Sequence, residues 1–277
     1  MKSLWNDAEA ASFAGPLGPR VYTSRLLGRD KTLVLHGGGN TSVKLREKNL
    51  FGEEEDILYV KGSGWDLEAI EPQGFTPLPL GYLRRLTTLE RLSDPQMVSE
   101  LATHSLRAGA PAPSVETLLH ALLPHKYVDH THADAALSIS NAPDGEQRMR
   151  DIYGDRVVVI PYIMAGFDLA AYCAREYPKQ ANKRTAGMML LSHGVFSFAE
   201  DPRESYELMI ELVTMAEKYL AARKAWSIAL PPAPPAAFKR EAAAQLRREV
   251  SQAAGAPMLC RCNDSPRFLG FARHPDA

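Results

Sequence analysis

The chain has 277 residues, with 32 Lys and Arg against 33 Asp and Glu, a net charge of −1 and 45 % hydrophobic residues. These are the proportions of a globular protein that can bury a full core without staples. They exclude the basic footprint of a nucleic-acid binder, and no run reaches the roughly 18 apolar residues a membrane span needs.

Residues 32–36 (TLVLH) are a short apolar run, read as a strand that feeds the turn Gly37-Gly38-Gly39. Residues 56–61 (DILYVK) repeat the design and end in Gly62-Ser63-Gly64. Leu80, Leu83, Leu86 and Leu89 share one face of a helix expected over 79–92. Pro113-Ser114 opens another, with Val115, Leu118, Leu119 and Leu122 as its apolar stripe. Residues 127–139 start as a strand and pass into a helix. Strands are then expected at 157–161 (VVVIP), 188–192 (MMLLS) and, returning, 195–198, before a long helix over 205–226.

Four prolines within 230–237 break any helix and predict a linker. A charged helix over 238–253 and a mixed tail follow. The expected division is a main domain over 1–228, a linker over 229–237 and a helical appendage over 238–277. Strands and helices mix without strict βαβ alternation, which favours layered α/β or α+β over a doubly wound sheet. Cys173, Cys260 and Cys262 are odd in number and complete no zinc knuckle. Residues 1–7 carry no signal-peptide stretch, so a reducing, cytoplasmic setting is expected.

His130-Thr131-His132 is the strongest chemical signal. On a strand, residues two apart face the same way, so both imidazoles can reach one divalent first-row cation. His193 adds a third donor where an apolar strand meets Gly194. Three protein ligands with an open fourth position is the pattern of a catalytic zinc. Asp134 extends the pair to His-x-His-x-Asp, but Ala135 stands where a second-metal histidine would be needed. Glu116, one helical turn before His120, has two readings: general base near a cation, or a carboxylate favoured at a helix N-terminus. Spacing alone favours the second, and it makes His120 and His125 packing or supporting residues. Taken singly, the two glycine turns are turns; neither is a Walker loop nor G-x-G-x-x-G. Lys61 would add positive charge beside the second.

Together, Gly39-Asn40-Thr41-Ser42, Lys61-Gly62-Ser63-Gly64, Pro113-Ser114-Val115-Glu116, His130-Thr131-His132 and His193-Gly194 resemble, in order and spacing, the class II aldolase/adducin family. The resemblance covers about residues 20–226. The stretches HGGGNTSVK, PSVETLLHALLPH and VDHTHAD look most like the aldolase part of bifunctional rhamnulose-1-phosphate aldolase/dehydrogenase proteins.

This resemblance implies a three-layer α/β/α fold around a central, mainly antiparallel sheet. It implies Zn²⁺ on His130, His132 and His193, with Glu116 as catalytic acid/base. Gly39, Asn40, Lys61, Ser63, Gly64 and Ser114 would hold a phosphorylated sugar, and Tyr162 would donate a proton across a subunit interface of a homo-oligomer, a tetramer by resemblance. Val115 departs from relatives that carry a second serine there. The implied reaction is cleavage of a ketose 1-phosphate, L-rhamnulose 1-phosphate as the best single candidate, to dihydroxyacetone phosphate and an aldehyde through an enediolate. Epimerase, dehydratase or decarboxylase chemistry on a sugar phosphate is the alternative, and a non-catalytic adducin-like assembly module a more distant one. Bound Zn²⁺ lowers the pKa of water from about 15.7 to about 7, roughly 12 kcal/mol of oxyanion stabilisation. A helix N-terminus offers about 0.3–1 kcal/mol, so the cation must carry the charge and the glycine turns only position the phosphate. Without a G-x-G-x-x-G unit, dehydrogenase activity is not expected, and 238–277 could be the stub of a longer architecture.

Overall fold

A computed structural model describes residues 1–233 and 239–275. The chain divides into two compact units, Met1–Arg223 and Lys224–Ala277.

In the first unit, helices α1 (Asp7–Ala11) and α2 (Gly18–Arg29) precede β1 (Asn40–Lys48), β2 (Glu54–Lys61) and β3 (Phe75–Pro79). Helices α3 (Leu80–Leu86), α4 (Asp94–Thr103) and α5 (Thr117–Leu122) lead to β4 (Tyr127–Thr131). Next come α6 (Asp134–Ser140), α7 (Gly145–Tyr153), β5 (Val157–Ile160) and α8 (Phe167–Gln180). The unit closes with β6 (Gly187–Leu190), β7 (Gly194–Ala199) and α9 (Pro202–Ala222).

The strands form one seven-stranded mixed sheet in the order β3-β2-β1-β4-β7-β6-β5. The β5–β6 pair is parallel and the other neighbours are antiparallel. Val157 and Val159 enter one apolar cluster with residues of α2, α6, α7 and α9, while Val158 and Ile160 enter a second with residues of α3, α4, α5 and α8. Burial on both faces is why this strand reads as an unbroken apolar run.

Two expectations are corrected. Residues 32–36 are not a strand: Leu33 and Val34 are buried, but Leu33 O accepts from His132 N at 3.0 Å and Thr32 O from Asp134 N at 2.8 Å. Their carbonyls serve the turn after β4, and His36, Gly37 and Gly39 all have positive φ, which no strand continues. The glycine turn therefore precedes a strand, β1. The helix over 79–92 stops at Leu86, because the Thr87 and Thr88 hydroxyls bond back to Arg84 O and Arg85 O at 2.8 Å each. Leu89, the next member of the apolar series, is left exposed.

On the face of β4 opposite His130, Arg20 and Asp129 form a fully buried ion pair. Arg20 Nη1 also donates to Ser42 O at 3.2 Å, and the Ser205 hydroxyl donates to Asp129. This network ties α2, β1, β4 and α9 to one register.

In the second unit, α10 (Arg240–Ala254) ends at Gly255 in the left-handed region, as helix C-termini commonly do. The segment read as a mixed tail contains α11 (Pro266–Ala272). Residues 234–237 of the expected linker, with residue 238, lie outside the described residues. No helix among the described residues is long and apolar enough to cross a membrane.

Candidate metal centre

Strand register builds the site. Asn40, the first residue of β1, pairs with His130 on β4, and His130 pairs with Phe196 on β7. His132 follows the end of β4 and His193 precedes β7, so all three histidines reach one end of the sheet centre. Ser192, at φ 57, turns the chain into His193. Gly194 is required by its neighbours: a Cβ there would lie 2.4 Å from Thr131 O and 2.8 Å from His130 Cε1. Glycine after His193 is what lets the two strands bring their imidazoles together.

One nitrogen from each of His130, His132 and His193 lies within 4.8 Å of the others. His130 is fully buried, stacked on Phe196 at 4.2 Å, with Nδ1 3.1 Å from Val195 O. A carbonyl can only accept, so Nδ1 carries the proton and the Nε2 lone pair faces the cluster. That Nε2 is 3.0 Å from His132 Nε2 and 3.4 Å from Glu116 Oε1. His193 Nε2 is 2.9 Å from the same carboxylate oxygen. Glu116 Oε1 is nevertheless buried without a hydrogen bond of acceptable geometry.

The charges agree with the geometry. Burial pushes His130 down to about 3 and also lowers His132. Burial works the other way on Glu116, but His130, the His193 contact and the Asn40 amide outweigh it and hold the carboxyl well below the usual range. At neutral pH the cluster therefore presents the Glu116 carboxylate and the uncharged imidazoles of His130 and His132, with the His193 ring beside them. Such a donor set fits a divalent cation held by three imidazoles, with Glu116 alongside. Asp134 stands outside the group, at the start of α6.

Glu116 is fixed from behind. Asn40 Nδ2 donates to Glu116 Oε2 at 2.5 Å and to Ser114 Oγ at 3.2 Å, and Glu116 N donates to Ser114 Oγ at 3.2 Å. Behind Asn40, His120 lies 2.5 Å from Asn40 Oδ1 through Nε2 and 2.8 Å from Ser42 Oγ through Nδ1. His120 and Ser42 are thus supporting residues that the motif reading assigned no specific partner. The signal was present, since His120 is one helical turn from Glu116 and Ser42 shares a strand face with Asn40.

Of the other expected residues, Lys61 is buried and its Nζ donates to Gly37 O at 2.8 Å. Burial lowers its pKa, against the nearby Asp66 and Glu116. Ser63 and Gly64 are exposed in a turn that Ser63 N ties to Ala112 O at 2.7 Å, next to Ser114. Gly39 packs a backbone at φ 63 where a Cβ would lie 2.7 Å from His130 O. Tyr162 stands apart: it is 56 % exposed, and its hydroxyl reaches Met164 Sδ at 3.8 Å and none of the histidines.

The model of the class II aldolase and adducin N-terminal domain matches residues 20–220. An uncharacterized oxidoreductase of Bacillus subtilis, YuxG, is 39 % identical over 221 residues, which are 79 % of this chain and 32 % of that one. The chain thus spans about a third of that relative's length. The N-terminal class II aldolase domain of a conserved protein from Thermoplasma acidophilum is 38 % identical with a TM-score of 0.72, covering 79 % of this chain and 99 % of its own. An aldolase II superfamily protein from Pseudomonas syringae, 15 % identical over 87 % of this chain and 88 % of its own, shares the fold at a TM-score of 0.53.

Proposed function

The chain belongs to the class II aldolase and adducin family, and on that premise we propose that it cleaves a phosphorylated ketose to dihydroxyacetone phosphate and an aldehyde. The observation that carries this reading is Glu116 Oε1, buried without a hydrogen bond beside three convergent imidazoles. An assembly module has no use for a buried, ionised carboxylate set against three imidazoles. A divalent cation, Zn²⁺ on this reading, held by His130, His132 and His193 would supply charge neutralisation for an oxyanion on the substrate.

The chain's own residues do the rest. In cleavage the C3–C4 bond breaks, its electrons pass into an enediolate, the C4 hydroxyl loses its proton and C3 gains one. Glu116, with Oε2 anchored by Asn40, keeps Oε1 for the proton at C3. Gly39, Asn40, Lys61, Ser63, Gly64 and Ser114 are assigned to the phosphate end, where binding energy is spent on placing the reacting carbons. The exposure of Tyr162 supports a role in the site of a neighbouring copy, as proton carrier for the C4 oxygen in a closed homo-oligomer, a tetramer on the family pattern. This activity is assigned to residues 1–228, with 229–237 as linker and 238–277 as appendage.

The test is incubation of the zinc-loaded protein with a panel of ketose 1-phosphates, L-rhamnulose 1-phosphate first, assayed for dihydroxyacetone phosphate. Release of the triose phosphate is expected. Recovery of a stereoisomer without triose phosphate would replace cleavage by epimerisation, and no reaction with any sugar would end the reading.

A further inference from the structure

A second concentration of charge lies away from the histidines. Asn40, Ser42 and Lys44 fall on one face of β1, and Lys44 is four residues, roughly 13 Å of extended chain, beyond Asn40. There a cavity of about 560 Å³ is lined by Lys44, Arg84 and Lys126 together with Arg46, Asp56 and Glu200. Arg46 is already neutralised, since its Nε and Nη2 donate to the two carboxylate oxygens of Asp56 at 2.8 and 3.1 Å. Three cations then face a single carboxylate, Glu200. None of the three forms an ion pair with an acid among the described residues.

Part of this arrangement has a local explanation. Lys44 Nζ donates to His125 O at 2.6 Å, in the loop between α5 and β4, and Arg84 Nε donates to Ala121 O at 3.3 Å, in the last turn of α5. A helix C-terminus favours positive charge. One short helix end nevertheless accounts for one cation, not for three around a hollow. It also fails to relieve Lys44: burial, with Arg84 adding repulsion against the weaker pull of Glu200, pushes its ammonium down to about 7. An ammonium desolvated beside a guanidinium is a group that an incoming anion would restore to full charge.

We propose that this cavity binds a phosphate monoester or an equivalent doubly charged oxyanion, at a site separate from the histidine cluster. Lys44, Arg84 and Lys126 less Glu200 leave two positive charges, which match a phosphate dianion. Arg84 supplies a planar fork for two oxygens, and the two lysines supply point charges that adapt to the rest. α5 separates the two sites. It presents His120 toward Asn40 and Ala121 O toward Arg84, so one small ligand does not occupy both.

The test is calorimetric titration of inorganic phosphate into the full chain at constant ionic strength balanced with chloride, with the melting temperature read in parallel. Saturable binding is expected, weakened at least about ten-fold in Lys44→Met and in Arg84→Gln. It is retained in Lys183→Met, which removes an exposed lysine of the loop between α8 and β6. In chloride alone Lys44→Met should melt no lower than wild type, because it deletes a desolvated charge; lost binding is then not lost folding. Wild-type affinity in both Lys44→Met and Arg84→Gln overturns the proposal, as does the absence of binding beyond chloride. So does loss of binding in Asn40→Ala with Lys44→Met unaffected, which would place the phosphate at the histidine end. None of these outcomes depends on which reaction the histidine site performs.

Discussion

His120 Nε2 and Asn40 Oδ1 lie 2.5 Å apart in a fully buried setting, and that contact decides which way the Asn40 amide faces. An amide oxygen only accepts, so Nε2 is the protonated nitrogen and Nδ1 accepts from the Ser42 hydroxyl. With its oxygen engaged by His120, Asn40 must turn its NH₂ group to Glu116. A flipped amide would set its oxygen against a carboxylate and leave His120 facing a donor with a donor. Ser42, His120 and Asn40 are therefore one chain of donors that ends on the Glu116 carboxylate.

Replacing His120 by Phe keeps the ring volume and removes both bonds. Asn40 Oδ1 and Ser42 Oγ lose a buried partner, each at about 1–3 kcal/mol, so the urea midpoint should fall. Turnover should fall with it while metal content, read by elemental analysis, stays at the wild-type level. Wild-type stability would show that water or another group replaces the imidazole without loss.

His130→Ala removes the most buried of the three imidazoles and should abolish stoichiometric metal. A ligand that binds only the folded chain stabilises it by about 2.7 kcal/mol at a hundred times its dissociation constant. Chelator should accordingly lower the melting temperature of wild type and leave that of His130→Ala unchanged. Equal responses would place the metal elsewhere.

Glu116→Gln keeps the shape but not the charge. Metal content should persist and turnover drop by about 10²–10⁴-fold, the usual contribution of a positioned acid or base. Turnover within a few fold of wild type would remove Glu116 from proton transfer.

His120 also sets a pH signature. Burial holds its folded pKa well below 6.5, whereas in the unfolded chain it titrates near that value, about 6.5. Below that pH the unfolded chain binds a proton that the folded chain does not. This contribution to stability is complete above pH ~6.5 and lost on acidification, by up to about 1.4 kcal/mol per pH unit. Urea midpoints measured between pH 7.5 and 5.5 should fall less steeply in His120→Phe than in wild type. Parallel slopes would mean that His120 is protonated in the folded chain.

Gly39→Ala should destabilise by at least about 1–2 kcal/mol, because φ is 63 and a side chain there is costly. The added methyl also meets Val34 Cγ1 at 2.6 Å and His130 O at 2.7 Å. Chemical denaturation reads the effect. A neutral substitution would show that the turn relaxes freely.

Most of this centre was legible because its residues obey simple periodicities. His130 and His132 show the two-residue repeat of a strand, and β5, β6 and β7 stand out as apolar runs because both faces of the sheet are covered. What misled was residues 32–36, whose apolar character comes from packing Leu33 and Val34 under a turn; hydrophobicity does not distinguish that from a strand. β1 was missed for the converse reason. Its outer half, Arg46, Glu47 and Lys48, is polar, and its inner half, Asn40, Thr41 and Ser42, carries functional groups where a core strand would carry apolar ones. The role of His120 required knowing that β1 and α5 are neighbours, a long-range fact that no local pattern contains.

The β4–β7 register has a consequence for how the metal is exchanged. His130 is set by ladder pairing with Phe196, by the Val195 carbonyl and by the buried Arg20–Asp129 pair on the other face of its strand. None of these supports involves the cation. The socket is formed when the sheet forms, so a chain without an ion should stay folded and accept one on addition. Adding Zn²⁺, Co²⁺ or Mn²⁺ in turn to one chelator-treated preparation would then compare metals on one scaffold.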